Sequence, residues 1–196
     1  MEKHDAHQTA LLDKTQFGFW IYLMTDLILF ATLFAVFIVM RGATAGGPTG
    51  AELFSLPFVL VETLFLLTSS YTCGLAMLAM HRGNKQQALT WLGITLAFGV
   101  AFLAMEIHEF ANLVHEGASW KRSGFLSSFF TLVATHGLHI TIGLLWLCVV
   151  AIKIYKKGFT TTNTRQLSLF SMFWHFLDIV WIFIFTIVYL MGAAIA

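Results

Sequence analysis

FWHFLDIVWIFIFTIVYL, residues 173–190, is long and apolar enough to cross a bilayer, yet it holds His175 and Asp178 within one helical turn. A charge at the bilayer centre costs at least ~2.5–3.5 kcal/mol, so an acid and an imidazole there must face protein or water, pair, or be neutral. The rest of the chain has the same character. Of its 196 residues 58% are hydrophobic and 11% charged, with a mean hydropathy of +0.80. A water-soluble domain carries about 25% charged residues, so this surface is built for lipid. The formal net charge of +1 argues against a nucleic-acid partner. Cys73 and Cys148 lie in apolar runs and imply neither a disulfide framework nor a metal knuckle.

Working outward, the pattern predicts an all-α membrane protein with five spans at about 17–40, 57–80, 87–111, 125–152 and 167–191. The connectors RGATAGGPTGAELFS, HRGNKQ, HEGASWKRSG and KIYKKGFTTTNTR collect the glycine, charge and hydroxyl residues that the spans lack, and GGPTG reads as a turn. Residues 1–16 mix charges without the order of a signal peptide and read as a cytoplasmic tail ahead of a transmembrane domain at 17–196. Eight Lys and Arg residues (3, 14, 82, 85, 153, 156, 157 and 165) fall on one side and three (41, 121 and 122) on the other. The positive-inside rule then places the N-terminus in the cytoplasm and the C-terminus in the periplasm. An odd span count without similar halves weighs against an inverted-repeat transporter. Gly93, Ala97 and Ala101 recur every fourth residue, which is either a stripe for close helix approach or chance. Trp20, Trp91, Trp120 and Trp174 lie toward span ends, where indole rings favour the headgroup level.

The informative residues are those that hydrocarbon excludes. Asp26 lies near the middle of the first span and Glu62 in the second. Glu106, His108 and Glu109 crowd the outer end of the third, where the acids are near enough to the surface to snorkel. His136 and His139 are mid-span in the fourth, His175 and Asp178 in the fifth. The 174/178/181 spacing puts Asp178 on a tryptophan stripe, and its depth matches that of His136 and His139. An acid–imidazole bond between the last two spans follows as one reading. Two others stand beside it: metal or haem ligation by His136, His139 and His175, and proton handling. Asp26, with no ionisable neighbour within a turn, reads either as an acid bonded to a nearby Thr or Tyr or as a functional carboxyl. There is no phosphate loop, nucleophile elbow or HExxH.

Taken together, FGFWIYLMTDLILF, ATHGLHITIGLLW and FWHFLDIVWIFIFTIVYL resemble subunit III of the haem–copper terminal oxidases, over about residues 17–192. TAGGPTGAELFSLPFVLVETLFLL and the five-span length are similar to the bacterial bo-type ubiquinol oxidase branch; the cytochrome c branch has two further helices at its N-terminus. The resemblance implies an accessory, non-redox chain of the bacterial inner membrane, with no catalytic residue, haem or copper of its own. Those centres belong to subunit I, with copper also in subunit II of the cytochrome c branch. Its implied partners are subunits I, II and IV and bound phospholipid, with ubiquinol and dioxygen at the level of the complex. It implies two helix groups, the first two spans and the last three, around a lipid-filled cleft that supports oxygen access and the proton-uptake side. Asp26 stands where the cytochrome c branch has a buried glutamate, one methylene longer, so that residue's suggested proton role does not transfer directly. Glu109, His136, His139, His175 and Asp178 fit recurring polar positions read as structural, and Glu62 has no assigned role. The competing readings are a cytochrome c oxidase subunit III, a proton-coupled carrier using Asp26, Glu62 and the histidines as a relay, and a haem b anchor.

Overall fold

The computed structural model describes residues 2–46, 55–115 and 117–194. Most of the first connector, with its GGPTG turn, lies outside the described residues. The elements are α1 (Glu2–Met40), α2 (Leu56–His81), α3 (Lys85–His115), α4 (Gly124–Lys157) and α5 (Thr161–Ile184). A π-helical turn at Phe185–Leu190 and a short α6 (Met191–Ala194) prolong α5. All five expected spans are present as helices long and apolar enough to cross a membrane. Helix α1 begins at Glu2, so the segment expected as a tail continues the first helix.

Local chemistry sets the ends. Pro57 opens α2, where its missing N–H costs nothing. At the other end Asn84 N–H reaches Ala79 O, Gly83 N–H reaches Met80 O, and Gly83 takes the positive φ of 70° that this closure requires. Asn84 Oδ1 then accepts from Gln87 N–H, so the chain reverses within a few residues and α2 packs along α3. Ser123 caps α4 by accepting from Leu126 N–H, and Thr160 caps α5 by accepting from Asn163 N–H. These caps lie outside the apolar runs. Helix α4 continues to Lys157 rather than 152, where Gly158 at φ 67° closes it with its N–H on Ile154 O, and the Thr160 cap starts α5 at Thr161 rather than 167.

Helices α2 to α5 form a ring in chain order, α2 against α3, α3 against α4, α4 against α5 and α5 against α2; α1 lies outside it, on α4 and α5. The expected grouping of the first two spans against the last three is therefore not the arrangement seen: α2 belongs with α3 and α5, not with α1. The short α2–α3 turn dictates this, because it holds those helices side by side while a long connector separates α1 from α2.

The ring closes on aromatic side chains of α5. Trp174 is buried at 1% exposure; its Nε1–H donates to Ser69 Oγ of α2 at 3.1 Å. Its ring fills the gaps at Gly99 of α3 and Gly143 of α4, where an added Cβ would come within 3.1 Å and 2.9 Å of ring carbons. It is thus a core residue touching three neighbouring helices, not a headgroup anchor: with its single donor satisfied inside, the indole body is free to pack. Trp20 and Trp120 are exposed and Trp91 half-buried. The Gly93/Ala97 stripe faces outward and nothing lies near Gly93, so close approach on α3 is made at Gly99 instead.

Gly143→Ala should displace the Trp174 ring and destabilise the chain by about 1–3 kcal/mol, as overpacking does. Trp174→Phe placed in the same chain should recover part of the loss. Thermal unfolding in detergent reads both; an unchanged midpoint for Gly143→Ala would contradict the packing.

Candidate functional site: buried acids and imidazoles

Seven steps after Trp174, Trp181 repeats the inward position: its Nε1–H donates to Thr63 Oγ1 of α2 at 3.0 Å. Phe102 of α3 meets it edge-on at 4.7 Å and His136 of α4 lies 5.2 Å away. The π-helical turn that follows carries one extra residue per turn and brings both Val188 and Tyr189 inward. Tyr189 O–H donates to Glu109 Oε2 of α3 at 2.8 Å. Three donors of α5 and its π-helical extension thus reach α2 and α3, and around them the polar residues fall into four groups.

The first joins α1 to α4. His139 Nδ1–H donates to Thr135 O, 2.7 Å away, because a carbonyl only accepts. Its Nε2 faces Asp26 Oδ2 at 3.6 Å, with the Tyr22 hydroxyl bonded to the same carboxyl. At 3.6 Å the two are close neighbours across the helix interface without a direct hydrogen bond. Asp26 thus has its expected tyrosine, and also an ionisable neighbour that its own helix does not reveal. Phe30 covers the imidazole at 5.3 Å and is itself buried.

The second is His136, fully buried, whose Nε2–H donates to the backbone carbonyl of Leu177 at 3.2 Å. The interhelical bond between α4 and α5 exists, but its acceptor is that carbonyl and not Asp178. Matched depth was readable from sequence; azimuth was not. The α5 face turned to α4 bears Leu177, whereas Asp178 turns toward Ser70 of α2.

The third group lies on that α2 side, where His175 Nδ1 sits 2.7 Å from Ser70 Oγ. Asp178 is half-buried beside Ser70 and His175 rather than enclosed among tryptophans. The fourth is acidic: Glu62 of α2 with Glu106 and Glu109 of α3. Glu106 and Glu109 do not snorkel; they are 2% and 8% exposed, and Glu62 is wholly enclosed. The Glu106 carboxyl occupies the space at Gly137 of α4, where an added Cβ would lie 2.7 Å from Oε1. His108 points outward and pairs with Asn112 on its own helix.

The histidines are therefore dispersed: His136 inside the ring, His139 toward α1, His175 toward α2. Among the described residues no three His, Cys, Asp or Glu side chains converge as a metal site. Sequence reasoning missed Thr63, Ser69, Ser70 and Tyr189, the hydroxyl partners of these groups. The signal available was that each buried indole N–H needs an acceptor in hydrocarbon.

The chain matches the family model described as cytochrome c oxidase subunit III over residues 2–193. It is 56% identical over 191 residues to the cytochrome bo(3) ubiquinol oxidase subunit 3 of Pseudomonas aeruginosa, covering 97% of this chain and 90% of that one. It is 48% identical over 175 residues to the quinol oxidase subunit 3 of Bacillus subtilis, covering 89% and 86% of the two chains. It is 45% identical over 184 residues to the cytochrome c oxidase subunit 3 of Bacillus sp. (strain PS3), covering 93% and 89%.

Asp26→Asn should leave the chain folded, because the amide keeps the shape of the carboxyl and its N–H can donate to His139 Nε2. A double-mutant cycle of Asp26→Asn with His139→Phe should give a coupling of about 0.6 to 1.7 kcal/mol, the range of interhelical hydrogen bonds in membranes. Zero coupling in detergent unfolding would show that the contact contributes nothing.

Proposed function

Because the chain belongs to the cytochrome c oxidase subunit III family, we propose that it is the accessory, non-redox subunit III of a bo-type ubiquinol oxidase. In that complex ubiquinol is oxidised and dioxygen reduced to water on partner chains while protons are pumped. The observation that carries the non-redox role is the use of the imidazoles. They are spread over three interfaces: His136 bonds to Leu177 O of α5, His175 lies against Ser70 Oγ of α2, and His139, its Nδ1–H held by Thr135 O of its own helix, turns Nε2 to Asp26 of α1. Groups so held brace helix against helix, and the chain's contribution is assembly and stability of subunit I. The quinol branch is favoured over the cytochrome c branch by the name and 56% identity of the Pseudomonas aeruginosa relative.

In this proposal the chain spans the bacterial inner membrane, and the Lys and Arg asymmetry supports an N-terminus in the cytoplasm and a C-terminus in the periplasm. Partner subunits I, II and IV and bilayer lipid cover what the bundle leaves open. Helix α1 is the natural place for them: it is the least buried span, and Ile28 and Val39 are 65% and 77% exposed. Lipid in this arrangement lies along α1 and the ring it leans on, not in a cleft between α1–α2 and the rest.

An affinity-tagged chain solubilised in mild detergent should bring down larger subunits with the visible spectrum of haem, while the chain alone should show no haem absorbance. Stoichiometric haem on the isolated chain would exclude the proposal. Substrate-driven proton flux by the chain alone in liposomes would favour the carrier. A C-terminal reporter active only in the periplasm checks the orientation; activity in the cytoplasm would reverse it.

A further inference from the structure

We infer that Glu62, Glu106 and Glu109 form a proton-binding site inside the ring, in which Glu62 and Glu106 are held as neutral acids and Glu109 exchanges protons with the solution at the α3–α4 connector. The inference rests on the spans crossing a membrane and goes beyond the bracing role given above. Glu62 of α2 faces Glu106 and Glu109 of α3, and Tyr189 of the π-helical turn lies beside all three.

The protein gives the three carboxyls unequal company. Glu109 Oε2 accepts from Tyr189 O–H at 2.8 Å, a donor that suits a carboxylate. Glu62 and Glu106 are 0% and 2% exposed, and neither oxygen of either carboxyl has a hydrogen-bond partner among the described residues. Nor, among the described residues, does any of the three form an ion pair. An ionised carboxyl enclosed in hydrocarbon with no donor and no cation is costly, and like charges beside it add to the cost. Glu62 and Glu106 therefore carry protons.

The groups that face the cluster supply no counter-charge. On α4 these are Gly137, where only the missing Cβ leaves room for the Glu106 carboxyl, and His136. His136 has its Nε2–H on Leu177 O and its buried Nδ1 without a partner, which is the neutral imidazole. His108 of α3 turns outward. With no protein acceptor, the O–H of Glu62 and of Glu106 can be given only to a water lodged among the carboxyls, or to a fellow carboxyl after a side-chain rotation. Either route makes the proton mobile within the cluster. Among the described residues the carboxyls do not converge as a metal site, so a proton rather than a cation is the ligand that fits.

Exchange with solution falls to Glu109. It keeps the most exposure of the three, 8%. It lies about 9 Å along α3 from the helix end at His115, at roughly 1.5 Å per residue, and Glu106 follows one turn deeper on the same face. A proton arriving there adds to the Glu109 carboxylate and on leaving restores it. The bond from Tyr189 O–H persists throughout, because a neutral carboxyl also accepts.

The test uses the intact oxidase complex in detergent, read by infrared spectroscopy in the C=O stretch of protonated carboxyls while ordinary water is replaced by heavy water. Wild-type complex should show carboxyl bands that Glu62→Gln and Glu106→Gln each remove in part, and those bands should shift in heavy water. Glu109→Gln should keep both bands and slow their shift at least about tenfold, as for loss of a positioned proton-transfer group. The amides keep the volume of the side chains, and if one of the first two variants does not assemble the other decides. Carboxyl bands identical in wild type and in those variants would overturn the protonated acids. Bands that do not shift in wild type, or that shift as fast in Glu109→Gln, would overturn the exchange. Bands that vanish on addition of sodium would overturn the proton as ligand in favour of a cation. Haem spectrum and subunit composition, recorded on the same samples, report separately whether the chain belongs to the oxidase.

Discussion

In hydrocarbon a hydrogen-bond donor without an acceptor costs several kcal/mol, and a helix backbone has already used its own groups. Side-chain donors must therefore reach another helix, and in this bundle three of them issue from one face of α5. Trp174 finds Ser69, Trp181 finds Thr63, and Tyr189 finds Glu109. Each bond fixes the rotation of α5 against α2 or α3, and each ring body fills space that α4 must leave free. Gly99 of α3 and Gly143 of α4 stand opposite Trp174, and Tyr189 sits within the π-helical turn. Ser69 itself donates onward to Thr95 O of α3, so the constraint passes from α5 through α2 to the next helix.

The imidazoles add contacts at three interfaces, α4–α5, α4–α1 and α5–α2. His136 ties α4 to the α5 backbone, His139 ties α4 to Asp26 of α1, and His175 meets Ser70 of α2. Each imidazole answers a local need for a partner, and the set is spread over three interfaces rather than focused on one centre. The function proposed for the chain, to be held by and to hold partner subunits, follows from that dispersion together with its family membership.

The five spans were legible because apolar length alone identifies a membrane helix, and the caps that shift their ends are short hydroxyl-bearing segments just outside the apolar runs. The family was legible from THGLH and WHFLDIVW. Partnership was not. Depth along a helix can be counted in residues, whereas which neighbour a side chain faces depends on helix order around the ring. So matched depth pairs Asp178 with the histidines of α4, whereas Ser70 of α2 is its neighbour; the grouping of α1 with α2 is implied by the family resemblance alone, and α1 rests on α4 and α5. Trp174 misled for a related reason. An indole near a span end suits the headgroup level equally well, and only the glycines on two other helices show that it points inward.

Imidazoles that brace the scaffold and imidazoles that serve the reaction differ in what their loss does to turnover. Quinol oxidase turnover per haem, measured on intact complexes carrying His136→Gln, His139→Gln and His175→Gln together, addresses this directly when read with retention of the chain. Turnover should match wild type wherever the chain is retained, with the complex losing it more readily on heating. Turnover that collapses while the chain stays bound at full stoichiometry would contradict the account.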